Sequence, residues 1–196
     1  MNRLRKPQSR SLQTRESLLR AAELVFAKVG YERAQMEEIA AAAGYSKGGL
    51  YAHFKSKEDL FLALFQMKSE GYESQLRDRM NRSTTKQEKI DSFRRFYLDL
   101  AQDKDWALLI LEVKLFMHRN PEAKEKLRPS HDHSNHSIEG AWSRLFGVSA
   151  SAAGEALGGI FPALVLESQL EPDVLTDKKV EEILGRVFDG LAHMGE

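Results

Sequence analysis

Residues 35–57 read QMEEIAAAAGYSKGGLYAHFKSK, and the pattern within them decides the fold. Met36, Ile39, Ala40 and Ala43 recur three and four apart, giving one short apolar helical face that stops at Gly44. Ser46 then supplies an N-cap for a second short segment to about Phe54. Two short helices meeting at a glycine turn are the sequence form of a helix-turn-helix, whose second helix enters the major groove of DNA. In that second helix Leu50 and Phe54, four apart, can face a core while Lys47 and Tyr51, also four apart, face outward. Gly48 and Gly49 each cost roughly 1 kcal/mol of helix stability against alanine, which suits a surface that something approaches closely. A poor helix tolerated by tertiary packing accounts for the same two residues.

Outward from this stretch the chain stays helical. Leu18, Ala22, Val25, Phe26 and Val29 mark a helix from about Thr14, with Gly30 where a left-handed terminating residue belongs. Residues 1–11 carry Arg3, Arg5, Lys6 and Arg10 with almost nothing apolar and read as a disordered basic arm. Ser56 with Asp59 resembles a capping box opening a helix to about Met80, carrying Leu60, Ala63, Leu64 and Met67. After a loop at 81–85, Ile90, Phe93, Tyr97 and Leu100 share a face, and Asp105 is placed to cap a nearly all-apolar helix from Trp106 to Met117, ended by Asn120-Pro121. A further helix is expected after Pro121, broken near Pro129 and resumed from Ile138 to Phe146. Two amphipathic helices close the chain on either side of a turn at Glu171-Pro172-Asp173. No strand alternation or repeat is present, so the expected class is all-α.

The chain has 196 residues, 42% hydrophobic and 30% charged, which excludes disorder throughout and allows a real core. With no cysteine, disulfides, thiolate nucleophiles and sulfur-ligated zinc are excluded, and a cytoplasmic location is expected. The longest charge-free run, Ala156 to Leu166, is too short to span a membrane, so no membrane partner is expected. Zero net charge hides an asymmetry: residues 1–57 hold eleven Lys or Arg against five Asp or Glu, and the remainder is acidic by the same amount. A basic N-terminal module suits a phosphate-backbone partner, although charge alone fits a solvated surface equally well.

The stretch TRESLLRAAELVFAKVGYERAQMEEIAAAAGYSKGGLYAHFKSKEDLFLALF, and above all its core GYSKGGLYAHFKSKEDLF, strongly resembles the DNA-binding domain of TetR-family (TetR/AcrR-like) transcriptional regulators. The resemblance implies an all-α protein of about nine helices, with a three-helix DNA-binding domain at 12–72, its helix-turn-helix at 35–54, and an effector-binding and dimerisation domain at 73–196. It places Tyr45, Lys47 and Gly48 near base edges, and Ser46, Tyr51, His53 and Lys57 on phosphates. The family usually has Ser or Thr at the start of the first of these two helices, where this chain has Ala34-Gln35. Gln35 is then the candidate substitute for the missing phosphate contact, or the basic arm compensates from the minor groove.

For the C-terminal part, Glu112 to Leu127 resembles the passage between the sixth and seventh helices of one subgroup of that family, implying a homodimer and a small-molecule cavity. Phe65, Phe93, Tyr97, Trp106, Phe116, Trp142 and Phe161 are candidates for the cavity wall, with Glu112 and His118 as its polar groups; core packing explains the aromatics equally well. The apolar faces of the last helices offer Leu157, Phe161, Leu164, Val180, Leu184, Val187, Phe188 and Leu191 as dimer residues, and Gly154, Gly158 and Gly159 permit close helix approach. His131, Asp132, His133 and His136 sit together, but the surrounding Pro, Ser and Asn point to a solvated break, and no metal or cofactor is expected.

The expected function is a sequence-specific regulator, a repressor released from double-stranded DNA at a pseudo-palindromic operator by a small-molecule effector. No hydrolase elbow, P-loop, zinc-protease or dinucleotide motif supports an enzyme. Ser83-Thr-Thr-Lys86 fits Ser-x-x-Lys without the companion motifs. The alternative is a helical ligand-binding or protein-interaction module that has lost specific DNA binding.

Overall fold

The computed structural model describes residues 6–123, 125–126, 145–146 and 150–193. Among these the secondary structure is helical, with α1 (Lys6–Arg33), α2 (Met36–Ala42), α3 (Lys47–Tyr51), α4 (Lys57–Arg82), α5 (Lys86–Leu100), α6 (Lys104–Arg119), α7 (Ala150–Leu170) and α8 (Asp177–His193). The expected helix between Pro121 and Phe146 falls mostly outside the described residues, as do Trp142 and the cluster His131, Asp132, His133 and His136. No described helix is long and apolar enough to cross a membrane. The chain divides into two compact units, Met1–Met67 and Lys68–Glu196, so the division falls earlier along α4 than the expected boundary at residue 72.

The first unit is built on α1. Its helix begins at Lys6, so residues 6–11 are helical rather than a disordered arm. Lys, Gln and Arg are good helix formers, and Pro7 lies in the first turn, where its missing N–H leaves no bond unmade. Leu18, Leu19, Ala22 and Phe26 of α1, Ile39 and Ala40 of α2, Leu50 of α3, and Leu60, Phe61 and Leu64 of α4 are all buried. Each large apolar side chain among them contributes roughly 1.5–3 kcal/mol on burial.

Gly30 breaks the helical backbone of α1 at φ 77° and ψ 164°. That is not the left-handed helical well but an extended region at positive φ that is essentially confined to glycine, and a last turn follows it to Arg33. The carbonyls left around the break are met by cations: Arg33 Nε donates to the Val29 carbonyl at 3.0 Å. Lys57 Nζ donates to the carbonyls of Tyr31, Glu32 and Ala34 at 2.7, 2.9 and 3.2 Å.

The second unit packs α7 on α6 and α8, with α8 also against α5. Phe93, Phe96, Tyr97 and Leu100 give α5 its buried face, and Thr85 with Glu88 forms a full capping box at its start. The N-cap of α6 is Asp103, whose side chain accepts from the Trp106 N–H at 2.8 Å, not the expected Asp105, which lies in the first turn. Leu115 is 52% exposed, so α6 is less completely enclosed than its composition suggests. α7 carries Pro162 within its span, which removes one helical donor.

Candidate nucleic-acid interface

The turn between α2 and α3 is set by Gly44, at φ 76°. The Gly44 N–H donates to the Ala41 carbonyl at 3.0 Å and the Tyr45 N–H to the Ala40 carbonyl at 2.9 Å, a Schellman arrangement that satisfies the last carbonyls of α2. α3 starts immediately beyond, with Ser46 Oγ accepting from the Gly49 N–H at 3.1 Å. Ser46 is thus the expected N-cap, although regular helix ends at Tyr51 and not at Phe54. Leu50 at 0% and Phe54 at 3% exposure anchor the inner side, while Tyr45 at 37% and Tyr51 at 42% stand outside.

Lys47 is exposed at the first position of α3. Its ammonium forms an ion pair with the carboxylate of Glu37 on α2 and lies 5.9 Å from the centre of the Tyr51 ring. The hydrogen bond from Lys47 holds the Glu37 carboxyl below its usual range, and Glu37 in turn raises Lys47. Beside them, a Cβ on Gly48 would meet nothing closer than Ser46 Oγ at 4.0 Å, and one on Gly49 would make only ordinary contacts. Among the described residues, therefore, nothing requires glycine at position 48, and the helix-stability cost there has no compensation from packing among them.

Gln35 is the exposed N-cap of α2, and its side chain makes no capping hydrogen bond. Its neighbour Ala34 is 3% exposed and faces inward. His53 is half-buried, its ring 6.5 Å from that of Phe54. Arg15 of α1 lies over the other anchor, 5.2 Å from the Phe54 ring centre.

Lys57 is placed differently from the phosphate grip that the resemblance implies. Its three carbonyl partners engage all three ammonium protons, and the same nitrogen lies 4.6 Å from the centre of the Tyr31 ring. That ring packs against Phe61 at 4.4 Å and Phe26 at 5.9 Å. Burial, with Glu58 and Glu32 nearby, pushes the Tyr31 phenol up to about 12, so it stays neutral at ordinary pH. Lys57 therefore ties the end of α1 to the start of α4. The residues missing from the sequence reading, Glu37, Tyr31, Arg33 and Arg15, all act through contacts across helices or through backbone carbonyls.

In the second unit the candidate ligand residues separate. Phe93, Tyr97, Phe146 and Phe188 pack on one another, with ring centres 5.4 Å apart for Phe93–Tyr97, 6.1 Å for Phe93–Phe188 and 5.6 Å for Phe146–Phe188. Phe116 and Phe161 are buried, Glu112 is half-buried and His118 is exposed. Phe65 is half-buried in the first unit.

Trp106 belongs to a polar clasp: Tyr72 and Lys68 both donate to Asp103 Oδ2, Lys68 at 3.1 Å, and the Tyr72 and Trp106 ring centres are 5.1 Å apart. Burial pushes the Asp103 carboxyl up, but Tyr72, the Trp106 N–H and Lys68 together outweigh it and hold the group below its usual value.

Among the candidate dimer residues, Leu157, Phe161, Val180, Leu184 and Phe188 are 1–3% exposed within the single chain. They form intrachain core and are not available as a surface for a second copy. These positions are apolar and share a face, but the packing of α7 on α6 and α8, and of α8 on α5, covers it. Leu164 and Val187 are half-buried, while Gly159, Ala163, Leu170 and Ile183 lie on the exposed side. The side chains of Leu191 and of Gly154's segment lie outside the described residues.

Residues 18–64 match the profile of the family described as bacterial regulatory proteins, tetR family. The HTH-type transcriptional activator FasR of Mycolicibacterium smegmatis is 36% identical over 99 residues, covering 50% of this chain and 45% of that protein. The chain thus spans about half the length of this curated relative. Among solved structures, the fatty acid degradation regulator FadR from Bacillus halodurans superposes with a TM-score of 0.72 at 24% identity, covering 91% of this chain and 94% of that one. FadR from Bacillus subtilis, solved in complex with stearoyl-CoA, gives a TM-score of 0.73 at 22% identity over 90% of this chain and 97% of its own. These structural likenesses extend the shared all-helical fold over nearly the whole chain.

Proposed function

From the TetR-family DNA-binding domain that this chain carries at residues 18–64, we propose that the protein is a sequence-specific transcriptional regulator that binds double-stranded DNA as a homodimer. The observation that carries this reading is the outer face of the N-capped helix α3, where exposed Lys47 and Tyr51 flank a Gly48 that no contact among the described residues requires to be glycine. A missing side chain there allows close approach of a base or phosphate. Tyr45, Lys47 and Gly48 then face base edges, while Gln35, Ser46, Tyr51 and His53 supply phosphate contacts. Lys57 contributes by holding α1 and α4 in register, not through its ammonium on DNA.

One five-residue helix reads few base pairs, so twofold symmetry and a pseudo-palindromic operator double the contacts. The surface for a second copy is the exposed side of α7 and α8, around Gly159, Ala163, Leu170 and Ile183. The chain acts as a repressor and not as an enzyme, and is released from its operator when a small molecule binds the second unit. Long-chain acyl-CoA is the first effector class to test, because the Bacillus subtilis neighbour was solved with stearoyl-CoA. Effector and DNA must weaken each other by the same factor.

Titration of the protein against the duplex upstream of its own gene and a shuffled duplex, at two salt concentrations, tests this reading. Tight binding of the first only, weakened by salt, supports it. Equal weak binding to both favours the interaction-module alternative. Tyr51→Ala should weaken binding to all sequences, and Lys47→Ala should alter sequence preference.

A further inference from the structure

Glu37 and Lys47 stand ten positions apart in sequence, on either side of the Gly44 turn, yet their side chains meet at the surface that the proposed function assigns to DNA. Both are more than half exposed, at 52% and 60%, so the pair is a weak contributor to folding. Its placement nevertheless has a consequence for binding. A lone exposed lysine is attracted to any phosphate, but this one carries a carboxylate at its side. A phosphate offers only acceptors and negative charge, so docking one on Lys47 brings it against Glu37. The major-groove edge of a G·C pair is different: guanine N7 and O6 accept, and the adjacent cytosine N4 amino group donates. An ammonium and a carboxylate held side by side present the complementary donor and acceptor.

Resting on the reading of α3 as the DNA-facing helix, we infer that Glu37 is a specificity-determining residue, which disfavours phosphate capture by Lys47 and, paired with it, selects a G·C base pair. Tyr51 supports the arrangement by placing its ring beneath the Lys47 ammonium, limiting where the lysine can swing. Like-charge repulsion between Glu37 and the DNA backbone is the cost of this selectivity, so removing the charge increases binding while degrading discrimination.

The test compares wild type with Glu37→Gln, Lys47→Met and the double variant. Each is used to select duplexes from a random DNA library, then titrated with the wild-type best duplex and a random-sequence duplex at fixed salt. Glu37→Gln should bind random DNA more tightly, lower the specific-to-random affinity ratio about tenfold, and lose preference at one G·C position per half-site. In the Lys47→Met background the same substitution should strengthen random-sequence binding less than it does in wild type, because only the direct repulsion between Glu37 and the backbone remains to be removed, and the thermal midpoint of Glu37→Gln should match wild type.

An unchanged ratio and motif in Glu37→Gln, or an equal loss of affinity for both duplexes, overturns the inference while leaving the proposed function standing. Failure of the wild-type protein to select any motif overturns the proposed function itself. Should Glu37→Gln fold poorly, Glu37→Asp provides the second reading. It keeps the charge on a shorter arm and should retain weak random-sequence binding; strengthened binding would contradict the charge-based account.

Discussion

Replacing Lys57 with Met removes an ammonium while keeping most of the aliphatic stem, and so isolates the contacts at the end of α1. In the structure that ammonium donates to the carbonyls of Tyr31, Glu32 and Ala34 at 2.7, 2.9 and 3.2 Å and lies near the Tyr31 ring. A hydrogen bond from a charged donor contributes about 1.5–3 kcal/mol, but three bonds sharing one nitrogen are not additive. The site is also partly open to water, which can replace some of what is lost. A net loss of about 2 kcal/mol follows, equivalent to a fall of about 4–8 °C in thermal midpoint for a chain of this size.

Circular dichroism melting of wild type and Lys57→Met reads the effect directly. DNA titration well below both midpoints then shows whether the folded variant still binds. The expected result is a lowered midpoint with a salt dependence close to that of wild type, because no phosphate contact has been removed. An unchanged midpoint combined with a salt slope reduced by about one would refute the reasoning and return Lys57 to the phosphate backbone.

Gly48→Ala should raise the thermal midpoint slightly, by up to about 1 kcal/mol of stability, because an added Cβ has open space there. The same substitution should reduce DNA affinity, so melting and titration should move in opposite directions. Phe188→Ala should destabilise the second unit by about 3–5 kcal/mol, since the ring is 2% exposed among other aromatics; chemical denaturation at several protein concentrations separates this from a loss of dimer. Asp103 sits below its usual value in the folded state, so its contribution is present above the ordinary value of 3.8 and is lost as pH falls toward the folded value. Asp103→Asn should therefore lower the midpoint at pH 7, with the gap to wild type closing on acidification below that range.

Much of the helix-turn-helix was legible because its determinants are local. Ser46 and Gly44 act within a few residues of where they stand, and the Ser56 cap reaches only to the Asp59 N–H at 3.0 Å. Thr85 and Glu88 form an equally local capping box, although the polar run 81–85 before it carries the composition of a loop. Asp103 and Asp105 are both competent caps two residues apart, and the choice between them depends on Tyr72 and Lys68 approaching Asp103 from α4. The role of Lys57 was hidden for a similar reason, since its partners are backbone carbonyls at and just beyond the end of α1 and carry no side-chain signature.

The dimer residues show a different limit. Periodicity marks Leu157, Val180, Leu184 and Phe188 as one apolar face, yet burial by a neighbouring helix of the same chain and burial by a second copy leave the same pattern. Only the fold shows that these positions are already covered, leaving Gly159, Ala163, Leu170 and Ile183 outside.

The central claim, that α3 reads DNA sequence from a symmetric pair of heads, is tested most directly by selecting duplexes from a random library with the purified full chain at near-physiological salt. The account predicts an enriched pseudo-palindrome whose half-sites lie one helical turn, or a small multiple of it, apart, and which Lys47→Ala degrades. Recovery of no motif by protein that mass spectrometry shows to be free of bound small molecules would contradict it.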